Sequence, residues 1–160
     1  MKALSIISVL STILFIFCFG PQYRKQLDLY TIYEQSTYWA ELDSELFRYN
    51  TEPPDSLYGR DESHYIKVAY RSESDTLSGP RMEHYYLAHL ECDCGGGIEY
   101  YRAGSCCPVP SEHGILDNAL LDVYHLRCMK CLKKQTLYLN MYDHDTSLYA
   151  PVGFRIKLGK

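Results

Sequence analysis

The sequence has no internal repeat, no low-complexity tract and no surplus of positive charge. Its 16 Lys and Arg against 20 Asp and Glu leave a net charge of −4, whereas a general nucleic-acid or anionic-membrane surface needs a clustered basic excess. Signatures of catalysis are missing too: there is no G-x-S-x-G nucleophile turn and no H-E-x-x-H helix. Gly95-Gly96-Gly97 lacks the Lys-Ser/Thr that completes a phosphate loop, and Asp143-His144-Asp145 lacks the glycine and distal glutamate of a calcium loop. No two carboxylates are marked as an acid–base pair. These absences direct the reading toward an interaction domain rather than an enzyme.

What is present is a chain of 160 residues, 46% hydrophobic and 22% charged, with room for one globular domain. Sixteen tyrosines suit half-buried strands and contact surfaces, since the ring is apolar and the tip polar. Ala3–Gly20 carries no charge, so residues 1–20 read as a signal peptide or a transmembrane anchor. Pro21 follows the small residue at which a peptidase would cut, which favours an uncleaved anchor. That reading makes the chain a single-pass membrane protein through residues 3–20, with its domain outside the cytoplasm; secretion after signal cleavage is the alternative.

Beyond it, Leu29, Ile32, Trp39, Leu42 and Leu46 recur at helical spacing, predicting one amphipathic helix within residues 21–52. Pro53 and Pro54 end it and open a linker over 53–62. In the remaining 63–160 the period changes to two. Ile66, Val68 and Tyr70 alternate with Lys67, Ala69 and Arg71, and similar strands are expected at His84–Leu90, Ile98–Arg102, Leu120–Arg127, Thr136–Tyr142 and Val152–Leu158. The expected fold class is therefore α+β: an N-terminal hydrophobic anchor helix, one amphipathic helix, then a mainly antiparallel β domain that bears the cysteines.

Apart from Cys18, six cysteines fall in three close pairs: Cys92-Asp-Cys94, Cys106-Cys107 and Cys128-Met-Lys-Cys131. Two short loops offering two thiolates each can converge on one tetrahedral metal, and a glycine after the second thiolate lets backbone amides turn toward sulfur. Gly95 follows Cys94 in that way. The order strand, Cys loop, strand, strand, Cys loop, strand over residues 82–142 resembles a zinc ribbon. The resemblance implies one structural zinc on Cys92, Cys94, Cys128 and Cys131, with no open position for a substrate. The chain departs from the family pattern in three places: one residue rather than two separates Cys92 from Cys94, no glycine follows Cys131, and Cys106-Cys107 has no counterpart.

Two other readings of the cysteines stay open. An exported chain with six cysteines also fits a disulfide framework, in which Cys106 and Cys107 are expected to reach separate partners. Cys128 and Cys131 also fit the redox pair of a thiol-disulfide oxidoreductase, with Arg127, Lys130, Lys133 and Lys134 as stabilising charges. His84, His89 and His125 lie near the cysteine loops but read first as half-buried packing residues. The expectation is a cysteine-stabilised, non-enzymatic domain that acts on a protein partner. The alternatives are the oxidoreductase and a cytoplasm-facing zinc ribbon on nucleic acid, a partner the charge balance disfavours.

Overall fold

The computed structural model describes residues 24–25, 46–48, 51–71, 76–77 and 79–157. Its elements are β1 (Arg24–Lys25), β2 (Ile66–Arg71), β3 (Thr76–Leu77), α1 (Pro80–Ala88), β4 (Leu90–Cys92), β5 (Ile98–Ile115), β6 (Asn118–Cys128), β7 (Lys134–His144) and β8 (Phe154–Ile156). A six-stranded sheet runs in the order β1-β5-β6-β7-β2-β3, and β4 pairs with β8 in a separate ribbon. Adjacent strands are antiparallel except β2 and β7, which run parallel.

Strand register divides the main sheet into two faces. Because side chains alternate and cross-strand partners share a face, the pairings Tyr100↔Leu126, Arg102↔Tyr124, Asp122↔Leu139 and Tyr124↔Leu137 gather one apolar face. Tyr100, Tyr124, Leu126, Leu137 and Leu139 on it are buried. Helix α1 belongs to the same core through Met82, Tyr85, Tyr86 and Leu87, each fully buried. The other face carries Tyr101↔His125↔Thr136 and Glu99↔Arg127↔Lys134 in two adjacent rows.

The structure corrects the expected α+β arrangement. The nine residues Pro80–Ala88 form the one α-helix of any length among the described residues, and they include much of a stretch expected to be a strand. Gly79, with φ 80°, turns the chain into the helix, and Pro80 occupies the first turn, where its missing N–H has no partner to lose. Tyr85, Tyr86, Leu87, Ala88 and His89 are all buried, so the run has no polar face and period two cannot be told from period 3.6. The expected amphipathic helix falls mostly outside the described residues. Of its described residues, Arg24 and Lys25 pair with Tyr100 and Glu99 along the edge of β5, Leu46 is helical, and Phe47 bridges to Leu148. Among the described residues no helix is long and apolar enough to cross a membrane; residues 1–20, read as the anchor, lie outside them.

The segment expected as a linker packs on the domain. Tyr58 is buried, and the Gly59 carbonyl accepts from Tyr138 N–H at 2.9 Å, which fixes Arg60 beside the edge of β7. Phe47 stacks on His89 at 4.4 Å, while Tyr86 Oη donates to the Tyr149 carbonyl at 2.7 Å.

Candidate metal centre

Cys92 ends β4 and Cys128 ends β6, and the register places Cys128 opposite Ile98 at the start of β5. The two cysteine loops therefore meet at one end of the sheet. In the first loop Gly95 N–H donates to the Cys92 carbonyl at 2.8 Å and Cys92 N–H to the Gly96 carbonyl at 2.9 Å. In the second, Leu132 N–H donates to the Cys128 carbonyl at 3.0 Å and Cys128 N–H to the Lys133 carbonyl at 2.9 Å. Both loops turn through the left-handed region just after their second cysteine, at Gly95 (φ 74°) and Leu132 (φ 59°). The second loop thus makes the same turn without a glycine.

The loops are clasped to each other by backbone and side chain. Met129 N–H donates to the Gly97 carbonyl at 2.9 Å, and Lys130 Nζ donates to the Cys94 carbonyl at 2.8 Å. At Gly96 the approach is close enough that a Cβ would stand 2.6 Å from Lys130 Cβ and 3.1 Å from Cys128 Sγ. The glycine is required there by space, not by backbone angle.

This packing brings the sulfurs of Cys92, Cys94 and Cys128 within 4.8 Å of one another, with Cys94 and Cys128 at 3.4 Å. A tetrahedral zinc with bonds of about 2.3 Å sets its sulfurs about 3.8 Å apart, so the cluster is close enough to hold a metal. Cys131 lines the same cavity and its thiol interacts with Cys128 and Cys94. Its N–H points to Cys128 Sγ at 3.4 Å, the amide-to-sulfur contact that a thiolate strengthens. Burial works against ionisation of Cys128, yet the Cys92 thiol and the amides and thiol of the second loop pull it down to about 6. Burial and the neighbouring sulfurs push Cys92 the other way.

One further residue belongs to this cavity and was not marked by the cysteine pattern. Gln135 pairs with Leu126, so its side chain lies on the cysteine side of the sheet, and it lines the cavity with Phe154 and Gly153. Its Nε2 is shielded from solvent and has no hydrogen-bond partner. A buried donor without an acceptor costs about 1–3 kcal/mol, and an anionic sulfur cluster beside it would supply that acceptor. The donor set, the clasped loops and this orphaned amide all fit a bound thiophilic metal.

The remaining candidates lie elsewhere. Cys106 and Cys107 are joined to each other in a disulfide, not to separate partners, at a bulge of β5. His84 Nδ1 meets Tyr100 Oη at 3.3 Å, His89 Nδ1 meets the Tyr85 carbonyl at 2.9 Å, and His125 Nδ1 meets Thr136 Oγ1 at 3.0 Å. None joins the thiols. Of the basic residues around the second loop, Arg127 is paired with Glu99 and Lys130 serves the clasp. No helix begins at Cys128, since its loop lies between β6 and β7, so no helix N-terminus faces the Cys128–Cys131 pair.

Two buried polar clusters escaped the sequence reading. Ser111 Oγ donates to Asp143 Oδ1 at 2.8 Å, His113 Nδ1 reaches the same oxygen at 3.0 Å, and Asn140 Nδ2 donates to Oδ2 at 2.8 Å. Serine and histidine both spend their bonds on one carboxylate oxygen, so the trio is not a proton relay. Under the core, Tyr124 Oη donates to Glu83 Oε2 at 2.8 Å, and Arg102 forms a two-pronged pair with Asp122. Burial, then the Asp122 carboxylate, pushes Glu83 up to about 8. No protein-family model, curated protein or solved structure matches the chain.

Proposed function

We propose that the chain is a non-enzymatic interaction domain whose Cys92, Cys94, Cys128 and Cys131 thiolates hold one structural zinc in a zinc-ribbon-like site. The observation that carries this reading is the convergence of three sulfurs from two clasped loops within 4.8 Å, with the fourth thiol in the wall of the same cavity. Zinc suits four soft thiolates without a redox role, and full thiolate coordination leaves no position for a substrate. Bound metal would order the ends of β4, β6 and β7, leaving the outer face of the sheet to meet a protein partner. We place the domain outside the cytoplasm, where the Cys106–Cys107 disulfide would persist. A chain in that setting keeps four further thiols reduced more readily when a metal occupies them.

The test is metal analysis of the native protein together with mass spectrometry after alkylation. The expected result is one zinc per chain, four thiols protected until chelator is added, and one disulfide. A metal-free protein in which Cys92, Cys94, Cys128 and Cys131 are oxidised to one another overturns the reading.

A further inference from the structure

The outer face of the sheet carries an open groove of about 530 Å³, within the range of small-molecule sites. The row Tyr101, His125 and Thr136 lines it, together with Arg60 and Lys134. No acidic side chain lines it. The nearest acid in the sheet register, Glu99, is taken by Arg127. Among the described residues neither Arg60 nor Lys134 belongs to an ion pair, although the chain as a whole is acidic.

The same row adds hydrogen-bonding side chains beside these cations. His125 Nδ1 is engaged by the Thr136 hydroxyl at 3.0 Å, which leaves the opposite ring nitrogen for another partner. Tyr101 meets the His125 ring edge-on with centroids 5.3 Å apart, giving a flat aromatic wall with a polar tip. Arg60 is held in place from behind, because Gly59 is bonded both to Tyr138 and to His64. Two cations lining one groove beside hydrogen-bonding side chains suit a dianion, which both cations neutralise together; a monocarboxylate would leave one uncompensated.

We infer that this groove binds a small phosphate monoester, its phosphate between Arg60 and Lys134 and its organic part along Tyr101 and His125. The groove shares Lys134 and Gln135 with the wall of the thiol cavity, so binding by the Lys134→Ala variant is read together with its metal content.

The test is a titration of the full chain at low ionic strength with phenyl phosphate and with inorganic phosphate, followed by amide NMR shifts. Phenyl phosphate is expected to shift Tyr101, His125 and Thr136 and to bind more tightly than inorganic phosphate. Arg60→Ala and Lys134→Ala, both at exposed positions, are each expected to weaken binding about tenfold, the scale of one charge-assisted hydrogen bond. Arg81→Ala removes the same charge from α1, outside the groove, and is expected to leave binding within about twofold, the scale of a remote screened charge. Equal losses in all three variants, or no shift at Tyr101, His125 and Thr136, would overturn the site. Inorganic phosphate binding as tightly as phenyl phosphate overturns the monoester assignment.

Discussion

At Leu132 the backbone turns through φ 59° while the side chain is 64% exposed, at the position that Gly95 fills in the first loop. A non-glycine residue in that region costs roughly 1–2 kcal/mol, and glycine returns part of it through its looser unfolded chain. Little burial is lost on truncation. Leu132→Gly is therefore expected to raise stability by roughly 0.5–1 kcal/mol, read as a higher thermal midpoint, while metal content stays unchanged. Glu83 presents the opposite case, a side chain whose chemistry rather than backbone is strained. Its folded pKa of about 8 lies above the ordinary 4.5, so between those values the folded state holds more protons than the unfolded one. Stability then falls as pH rises through that window, by up to about 1.4 kcal/mol per unit, and levels off above it. Glu83→Gln keeps an acceptor for Tyr124, turns an amide donor toward the Asp122 carboxylate that Glu83 faces, and removes the ionisable group. Denaturant melts at pH 5 and pH 8 are expected to show the variant gaining on the parent by several kcal/mol between the two; parallel losses in both proteins would refute the assignment.

At the scale of elements, what could be read in the sequence depended on whether an element had two unlike faces. The alternation of Ile66, Val68 and Tyr70 with their neighbours appears as β2, and the runs Leu120–Arg127 and Thr136–Tyr142 fall inside β6 and β7, whose two faces differ in burial. Helix α1 was illegible because five consecutive residues, Tyr85 to His89, are all buried. The cysteine loops were legible by spacing, since each loop's cysteine pair sits where a strand ends, Cys92 at the end of β4 and Cys128 at the end of β6. Gln135 was not, because its role depends on which way one residue of β7 points. Gly96 shows how tightly the two loops define each other. Its hydrogen would be replaced in Gly96→Ala by a carbon 2.6 Å from Lys130 Cβ and 3.1 Å from Cys128 Sγ, so the loops must part by several tenths of an ångström. Lys130 and Cys128 belong to the clasp and the cluster, so the strain falls on the metal site. The variant is expected to bind cobalt with altered or lost thiolate charge-transfer absorption while far-UV circular dichroism is retained. An unchanged cobalt spectrum would mean that the loops open without disturbing the sulfurs.

For the whole molecule, the question is how far the fold leans on its metal. Small zinc domains unfold without the ion because they have no other core. Here Cys92 and Cys128 are members of a much larger cluster that includes Tyr85, Tyr86, Tyr100, Tyr124, Leu137 and Leu139, and most of that cluster lies between α1 and the sheet. A free buried thiol behaves there as a small apolar group, so removing the ion deletes a crosslink at one end of the sheet and leaves the packing at the other. What is lost locally is larger, because the clasp between Met129 and Gly97 and the contact of Cys131 N–H with Cys128 Sγ depend on the two loops staying together. Chelation is accordingly expected to lower the thermal midpoint without abolishing the cooperative transition. Hydrogen exchange should rise in residues 92–98 and 128–134 and remain slow at Leu121, Tyr124 and Leu139. Global loss of protection on chelation would instead show that the tyrosine-rich core cannot stand by itself, and that the metal site is the nucleus of the fold and not its fastening.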